Sequence, residues 1–202
     1  MNSKYYLKAI LVILFSVLIL SGCLLTVGSP LAKKIEPGKW SIEGSAGMLG
    51  SPDNGNYLGI HGYVYAGHSL GRNFELGFLY YYYKVNNGGM VGEIKANVVA
   101  LPLKWDPFNY SSPFHLVLFA APSLFFDDLN GFLLYEGIGL SYDFSFPLEL
   151  YASYSIPYYG IQLFTGNIGF RYKLFDNFYI GSNFMLTMPL AVGVNFMLGS
   201  NF

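Results

Sequence analysis

Residues 164–174 read Phe164-Thr165-Gly166-Asn167-Ile168-Gly169-Phe170-Arg171-Tyr172-Lys173-Leu174, and Asp176-Asn177 then leads into Phe178-Tyr179-Ile180. Phe164, Ile168, Phe170 and Leu174 share one parity, whereas Thr165, Asn167, Arg171 and Lys173 share the other. A period of two marks an extended strand with chemically different faces. Asp-Asn between two such runs supplies a tight reversal, so the stretch reads as an antiparallel hairpin.

The pattern spreads in both directions. In 57–70, Leu58, Ile60, Val64, Ala66 and Leu70 oppose His61, Tyr63, Tyr65 and Ser69. In 91–104, Ile94, Ala96, Val98 and Ala100 oppose Glu93, Lys95 and Asn97. In 148–156, Leu148, Leu150, Ala152 and Ile156 oppose Glu149, Ser153 and Ser155. Gly, Pro, Asn and Asp clusters punctuate the chain at 51–56, 71–73, 86–89, 106–113, 127–131, 145–147, 157–162 and 176–177, with a tight turn near Pro189. These reversals predict an all-β chain of ten strands over residues 39–202; eight result only if neighbouring segments merge.

Composition decides which face meets water. The chain of 202 residues is 53% hydrophobic, 19% aromatic and only 11% charged. Soluble domains carry roughly 25% charged residues, and a soluble sandwich or barrel needs them on its outer wall. Here charges are scarce and several sit within strands. The expected fold is therefore a closed antiparallel transmembrane β-barrel, apolar outside and polar inside, because lipid offers no partner to an open sheet edge. Strands of about 9–11 residues suffice to cross the hydrocarbon. Tyr80–Tyr83, Phe125-Phe126 and Tyr158-Tyr159 are expected at the two interfaces. Glu93, Lys95, Glu149, Arg171 and Lys173 are expected to face the lumen, as a plug of ion pairs or as a constriction in a small channel. A wide porin does not fit so few strands.

The start of the chain has a separate purpose. Lys4 and Lys8 precede the apolar run Ala9–Leu20, which is too short to span a membrane, and Ser21-Gly22 follow. Residues 1–22 thus read as an export signal. Leu20-Ser21-Gly22-Cys23 resembles the bacterial lipobox, which implies acylation of Cys23, the chain's only cysteine. The alternative is an ordinary signal cut after about Gly28, with Cys23 discarded. Residues 23–38 have no periodicity and read as a linker.

The repeated strand–turn–strand units and the ending Val192-Gly193-Val194-Asn195-Phe196-Met197-Leu198-Gly199-Ser200-Asn201-Phe202 resemble the small bacterial outer-membrane β-barrel superfamily. The resemblance covers nearly all of 39–202. It implies residence in the Gram-negative outer membrane with both termini in the periplasm. Outer-membrane lipid and the barrel assembly machinery are the implied partners. Val194, Phe196, Leu198 and Phe202 match the assembly signal, and Ser200 departs from it.

The chemistry that remains is sparse. The histidines His61, His68 and His115 have no metal-ligand spacing, and no cofactor motif is present. A formal net charge of −1 gives no reason to expect nucleic acid. Some outer-membrane lipid A deacylases resemble barrels with a His/Ser/Glu site, which directs attention to His68, Ser69 and Glu75. Adjacent strand residues face opposite ways, however, so His68 and Ser69 cannot pair. The expected role is non-enzymatic: a structural or interaction protein of the outer membrane with a narrow, mostly filled lumen. The alternative is a channel or carrier for small solutes, and a lipid-modifying enzyme is the weaker third reading. Oligomeric state and solute are not readable.

Overall fold

The computed structural model describes residues 35–50, 57–87, 92–108, 111–128, 130–157, 164–188 and 191–202. The signal and Cys23 lie outside the described residues. Eleven strand segments follow one another: β1 (Trp40–Gly50), β2 (Tyr57–Ser69), β3 (Phe74–Asn87), β4 (Gly92–Ala100), β5 (Leu103–Trp105), β6 (Phe114–Asp127), β7 (Gly131–Asp143), β8 (Leu148–Pro157), β9 (Phe164–Phe175), β10 (Phe178–Met188) and β11 (Ala191–Asn201). Segments β4 and β5 both lie between β3 and β6, so they form one barrel strand in two pieces. The break falls at Leu101-Pro102, where proline has no N–H to give the ladder. Its carbonyl still accepts from Gly77 N at 2.8 Å, and Leu101 N donates to Pro122 O at 3.0 Å.

Each strand pairs antiparallel with its neighbours, and β1 pairs with β2 on one side and β11 on the other. The sheet is therefore a closed barrel of ten strands. At the seam Trp40 N donates to Phe202 O at 2.8 Å, and Phe202 N donates to Trp40 O at 3.0 Å. Both ends of the barrel domain thus sit at the same rim, called the terminal end below. Closure leaves no free edge, which is the condition for a sheet in hydrocarbon.

The faces are inside-out relative to a soluble protein. Ile42, Met48, Val64, Phe78, Leu124, Leu150, Ile168, Phe170, Phe184, Phe196 and Leu198 are exposed on the outer wall, while Glu43, Glu75, His61, Lys104, Asn167, Arg171, Asn183 and Asn195 are buried within. Such a wall finds its match in acyl chains, not water. Within the lumen, one side is filled by a cluster that includes Tyr63, Tyr65, Tyr81, Tyr83, Phe119, Phe125 and Tyr135. The tyrosine run 80–83 is thus divided: Tyr80 is on the outer wall, whereas Tyr81 and Tyr83 fill the interior. Phe126 faces out and Phe125 in; Tyr158-Tyr159 lie outside the described residues.

Tyr65 shows how tightly the interior is filled. A Cβ on Gly77 would stand 2.4 Å from Tyr65 Cε2 and 2.7 Å from its hydroxyl. The ring lies against bare backbone, and only glycine permits that approach. Gly77→Ala is expected to lower stability by about 1–3 kcal/mol through overpacking, read as a shift in the urea midpoint of the folded, fast-migrating form.

One expected face is reversed. In β4 the sequence suggested Ala96, Val98 and Ala100 outward and Lys95 inward, yet the three apolar residues are buried and Lys95 is exposed. Volume overrides polarity here. Tyr83 and Tyr81 directly oppose Ala96 and Val98, and small side chains beside those rings leave room for them. The same parity carries Lys104 of β5 into the lumen, while Leu103 and Trp105 face out.

Candidate functional site

The lumen is crossed near the terminal end by a network of buried charges. Glu43 of β1 points inward between the outward Ile42 and Gly44. Arg171 of β9 reaches it with Nη2 at 3.1 Å and Nε at 3.2 Å from Oε2. The same guanidinium places Nη1 3.2 Å from Glu149 Oε1 of β8. Glu43 also accepts hydrogen bonds from Tyr179 OH at 2.7 Å and from Tyr63 OH. Tyr151 and Tyr179 flank the guanidinium, with ring centroids 4.8 Å and 5.5 Å from Cζ. Arginine suits this place because its planar fork serves two carboxylates while its faces stack on rings.

A second buried pair stands beside it. Lys104 Nζ lies 2.6 Å from Glu75 Oε1, with only 1% of the lysine side chain and none of the glutamate exposed. Tyr65 OH donates to the same carboxylate, and Lys104 Nζ sits 4.6 Å from the Tyr65 ring centroid. The other oxygen, Oε2, accepts from the main-chain N–H of Ile35 at 2.7 Å. Buried charges of this kind persist only when each is paired and hydrogen-bonded. Together the two clusters draw on β1, β2, β3, β5, β8, β9 and β10, so they brace the barrel around most of its circumference.

Among the described residues, the buried lining beyond the plug is uncharged. His61 Nδ1 bonds Tyr81 OH at 2.8 Å, Asn183 Nδ2 donates to Asn167 Oδ1 at 3.4 Å, and Asn167 Nδ2 donates to Ser153 Oγ at 3.4 Å. On the terminal side of the plug, a cavity of about 410 Å³ opens among Glu43, Lys104, Glu149, Arg171, Lys173 and Tyr179. Nearby, His115 Nδ1 and Asp106 Oδ2 are 2.7 Å apart and fully buried, and Asp106 Oδ1 accepts from Phe108 N at 2.8 Å. This pair anchors the connection from β5 to β6. Ser141 opposes His115 in the register and is 3% exposed.

The expected lumen residues therefore do not stay together. Glu149 and Arg171 meet in the plug, and Lys173 stands exposed at the cavity mouth. Lys95 is on the outer wall instead, at the far rim, where its N–H donates to Asp128 Oδ2 at 2.8 Å. Close by, Asn97 links Tyr80 to Asp127 on that wall. Glu93 pairs with Asn86 through its backbone, and its side chain lies outside the described residues. Glu43, Glu75 and Lys104 were missed as lumen charges. Their signal was present: each is a single charge in an alternating run, as in Phe74-Glu75-Leu76 and Leu103-Lys104-Trp105.

His68, Ser69 and Glu75 form no common site. His68 is on the outer side, stacked on Trp40 with centroids 4.4 Å apart, while Ser69 Oγ donates to Gly71 O at 2.8 Å. Among the described residues, no group of three or more His, Cys, Asp or Glu could hold a metal ion. Val194, Phe196, Leu198 and Phe202 are all exposed on the outer wall beside the seam.

No protein-family model matches the chain, and no curated protein matches it in sequence. In shape it is similar to several solved barrels. One is the KdgM porin in complex with disordered oligogalacturonate, at 13% identity over 80% of this chain and 99% of that one, with a TM-score of 0.49. Another is Pseudomonas putida OprB, at 10% identity over 82% and 93% of the two chains, with a TM-score of 0.40. A third is the transport unit of the Escherichia coli autotransporter AIDA-I, at 11% identity over 91% and 95%, with a TM-score of 0.41. Superpositions this loose carry no argument about what the chain does, and the site has to be read from its own geometry.

Proposed function

We propose that this chain is a bacterial outer-membrane β-barrel whose lumen is shut near the terminal end, and that it serves as a structural or interaction protein of that membrane. The observation that carries the closed lumen is Arg171 bridging Glu43 and Glu149 across the interior, with the Lys104–Glu75 pair beside it. The outer membrane is supported by the closed sheet and its apolar wall, the form in which β-structure crosses a bilayer. In this reading residues 1–22 direct export, Cys23 is acylated, and both termini lie in the periplasm.

Two measurements test it. The protein taken from outer-membrane fractions should migrate faster in SDS before boiling than after, because a closed barrel resists the detergent until heated. Reconstituted in a planar bilayer, it should give no conductance steps. The absence of a mobility shift would refute the membrane barrel, and regular steps would refute the closed lumen.

The second reading, a small channel, draws on the cavity beneath the plug, which brings solvent space up to Arg171 and Lys104. Steps that change amplitude in Arg171→Ala would establish it. Lys95 is no constriction in either reading.

The assembly machinery is the proposed partner during insertion. Phe202→Ala should reduce the heat-modifiable fraction severalfold while leaving synthesis unchanged, measured by pulse labelling. An unchanged fraction would remove Phe202 from the signal.

A further inference from the structure

The buried charges of the plug do not cancel. Glu43, Glu75 and Glu149 bring three carboxylates, while Lys104 and Arg171 bring two cations, and each of the five residues is less than a tenth exposed. Lys104 is paired with Glu75, and Arg171 is divided between Glu43 and Glu149. One negative charge is therefore left over among these described residues, in a place where an unbalanced charge is costly. Its position follows from the bonding. Arg171 engages Oε1 of Glu149, whereas Oε2 has no hydrogen-bond partner among the described residues. In the ladder of β7 and β8, Glu149 also directly opposes Asp143, and like charges so placed destabilise a sheet.

Glu149 lines the cavity at the terminal end. Lys39 N donates to Glu36 O at 3.0 Å, so the chain reverses at Gly38 and carries Ile35 inward to close one side of that space. Phe144, Phe146 and Pro147 stand at its lip. We propose that this cavity binds a small organic cation, with its ammonium on Glu149 Oε2 and its carbon chain against Phe144, Phe146 and Pro147. At about 410 Å³ the space lies within the range of small-molecule sites. Asp143 and Lys173 at the mouth add one charge of each sign and leave the deficit unchanged. Aromatic rings attract an ammonium through their faces and also cover its methylenes. A metal ion fits less well, since no group of three or more His, Cys, Asp or Glu among the described residues could hold one. The seat needs no assumption about the rest of the lumen: conductance tests the closed lumen, and amine binding tests the seat.

The test is titration calorimetry of the full chain in lipid nanodiscs, with n-butylammonium as the probe and empty discs as the blank. Saturable binding is expected, and neither 1-butanol nor butyrate should compete with it. Glu149→Gln equalises the charges of the plug, so it should keep the SDS mobility shift. It should weaken binding by about tenfold or more, the loss that goes with one charge-assisted hydrogen bond. Lys173→Met removes the cation at the mouth and should tighten binding severalfold. No saturable binding by the native chain, or binding unchanged in Glu149→Gln, overturns the seat. Binding that appears only in Lys173→Met identifies that lysine as the missing counter-charge and likewise overturns a ligand. Displacement of the amine by magnesium overturns the organic class. If the native chain conducts while saturable binding persists, the closed-lumen reading fails and the seat stands.

Discussion

Phe184→Arg is expected to destabilise the barrel by about 2–4 kcal/mol, the cost of a cation facing mid-bilayer lipid from a barrel strand. Phe184 is 51% exposed near the middle of β10, directly beside Val194 of β11 and Ile168 of β9, which are exposed as well. In a water-soluble protein, replacing so exposed a phenylalanine with arginine changes stability by only a few tenths of a kcal/mol. The two solvents therefore predict different results for one substitution. The measurement is the urea midpoint of the protein folded in lipid vesicles, followed by unboiled SDS mobility. Phe175→Arg, exposed beside the Asp176-Asn177 turn at the rim, is the matched control, with an expected cost of about 0–1 kcal/mol. Equal small effects at both positions would show that the outer wall does not face hydrocarbon.

Arg171→Met should cost about 3–5 kcal/mol, the usual penalty for removing one partner of a buried ion pair. The methionine side chain is shorter and loses the guanidinium that lies over Tyr151, and Glu43 and Glu149 are left as buried carboxylates without their shared cation. Adding Glu43→Gln and Glu149→Gln to Arg171→Met should restore most of the loss, since a neutral trio has no charge to desolvate. The same vesicle unfolding assay reads all three proteins. If the triple variant is no more stable than Arg171→Met, packing of the guanidinium between Tyr151 and Tyr179 is what matters, not charge pairing.

Much of the architecture was legible in particular residues. The hairpin around Asp176-Asn177 lies where the alternation put it, with β9 ending at Phe175 and β10 starting at Phe178. Strand faces in β2, β8 and β9 follow sequence parity because large apolar residues such as Ile60, Leu150 and Phe170 stand on the outer side. In β4, parity failed as a guide to direction. Ala96, Val98 and Ala100 are apolar but small, and the interior needed their smallness beside Tyr81 and Tyr83. Side-chain volume was the discriminating signal there, and it would have identified Lys104 as an inward charge. The inward turn of Ile35 was not legible at all. No period extends through residues 24–38, and the partner that holds Ile35 lies forty positions away.

The sequence alone determined that strands alternate in chemistry, that reversals separate them, and that the apolar face is too continuous and the charges too few for a wall in water. These properties depend on neighbours in the chain, so a local pattern records them. Only the tertiary structure decided which charges meet. Glu43 and Arg171 are 128 positions apart and join only because closure leaves just β10 and β11 between β1 and β9. Their pairing is set by the register accumulated around the barrel, and no single strand carries that information.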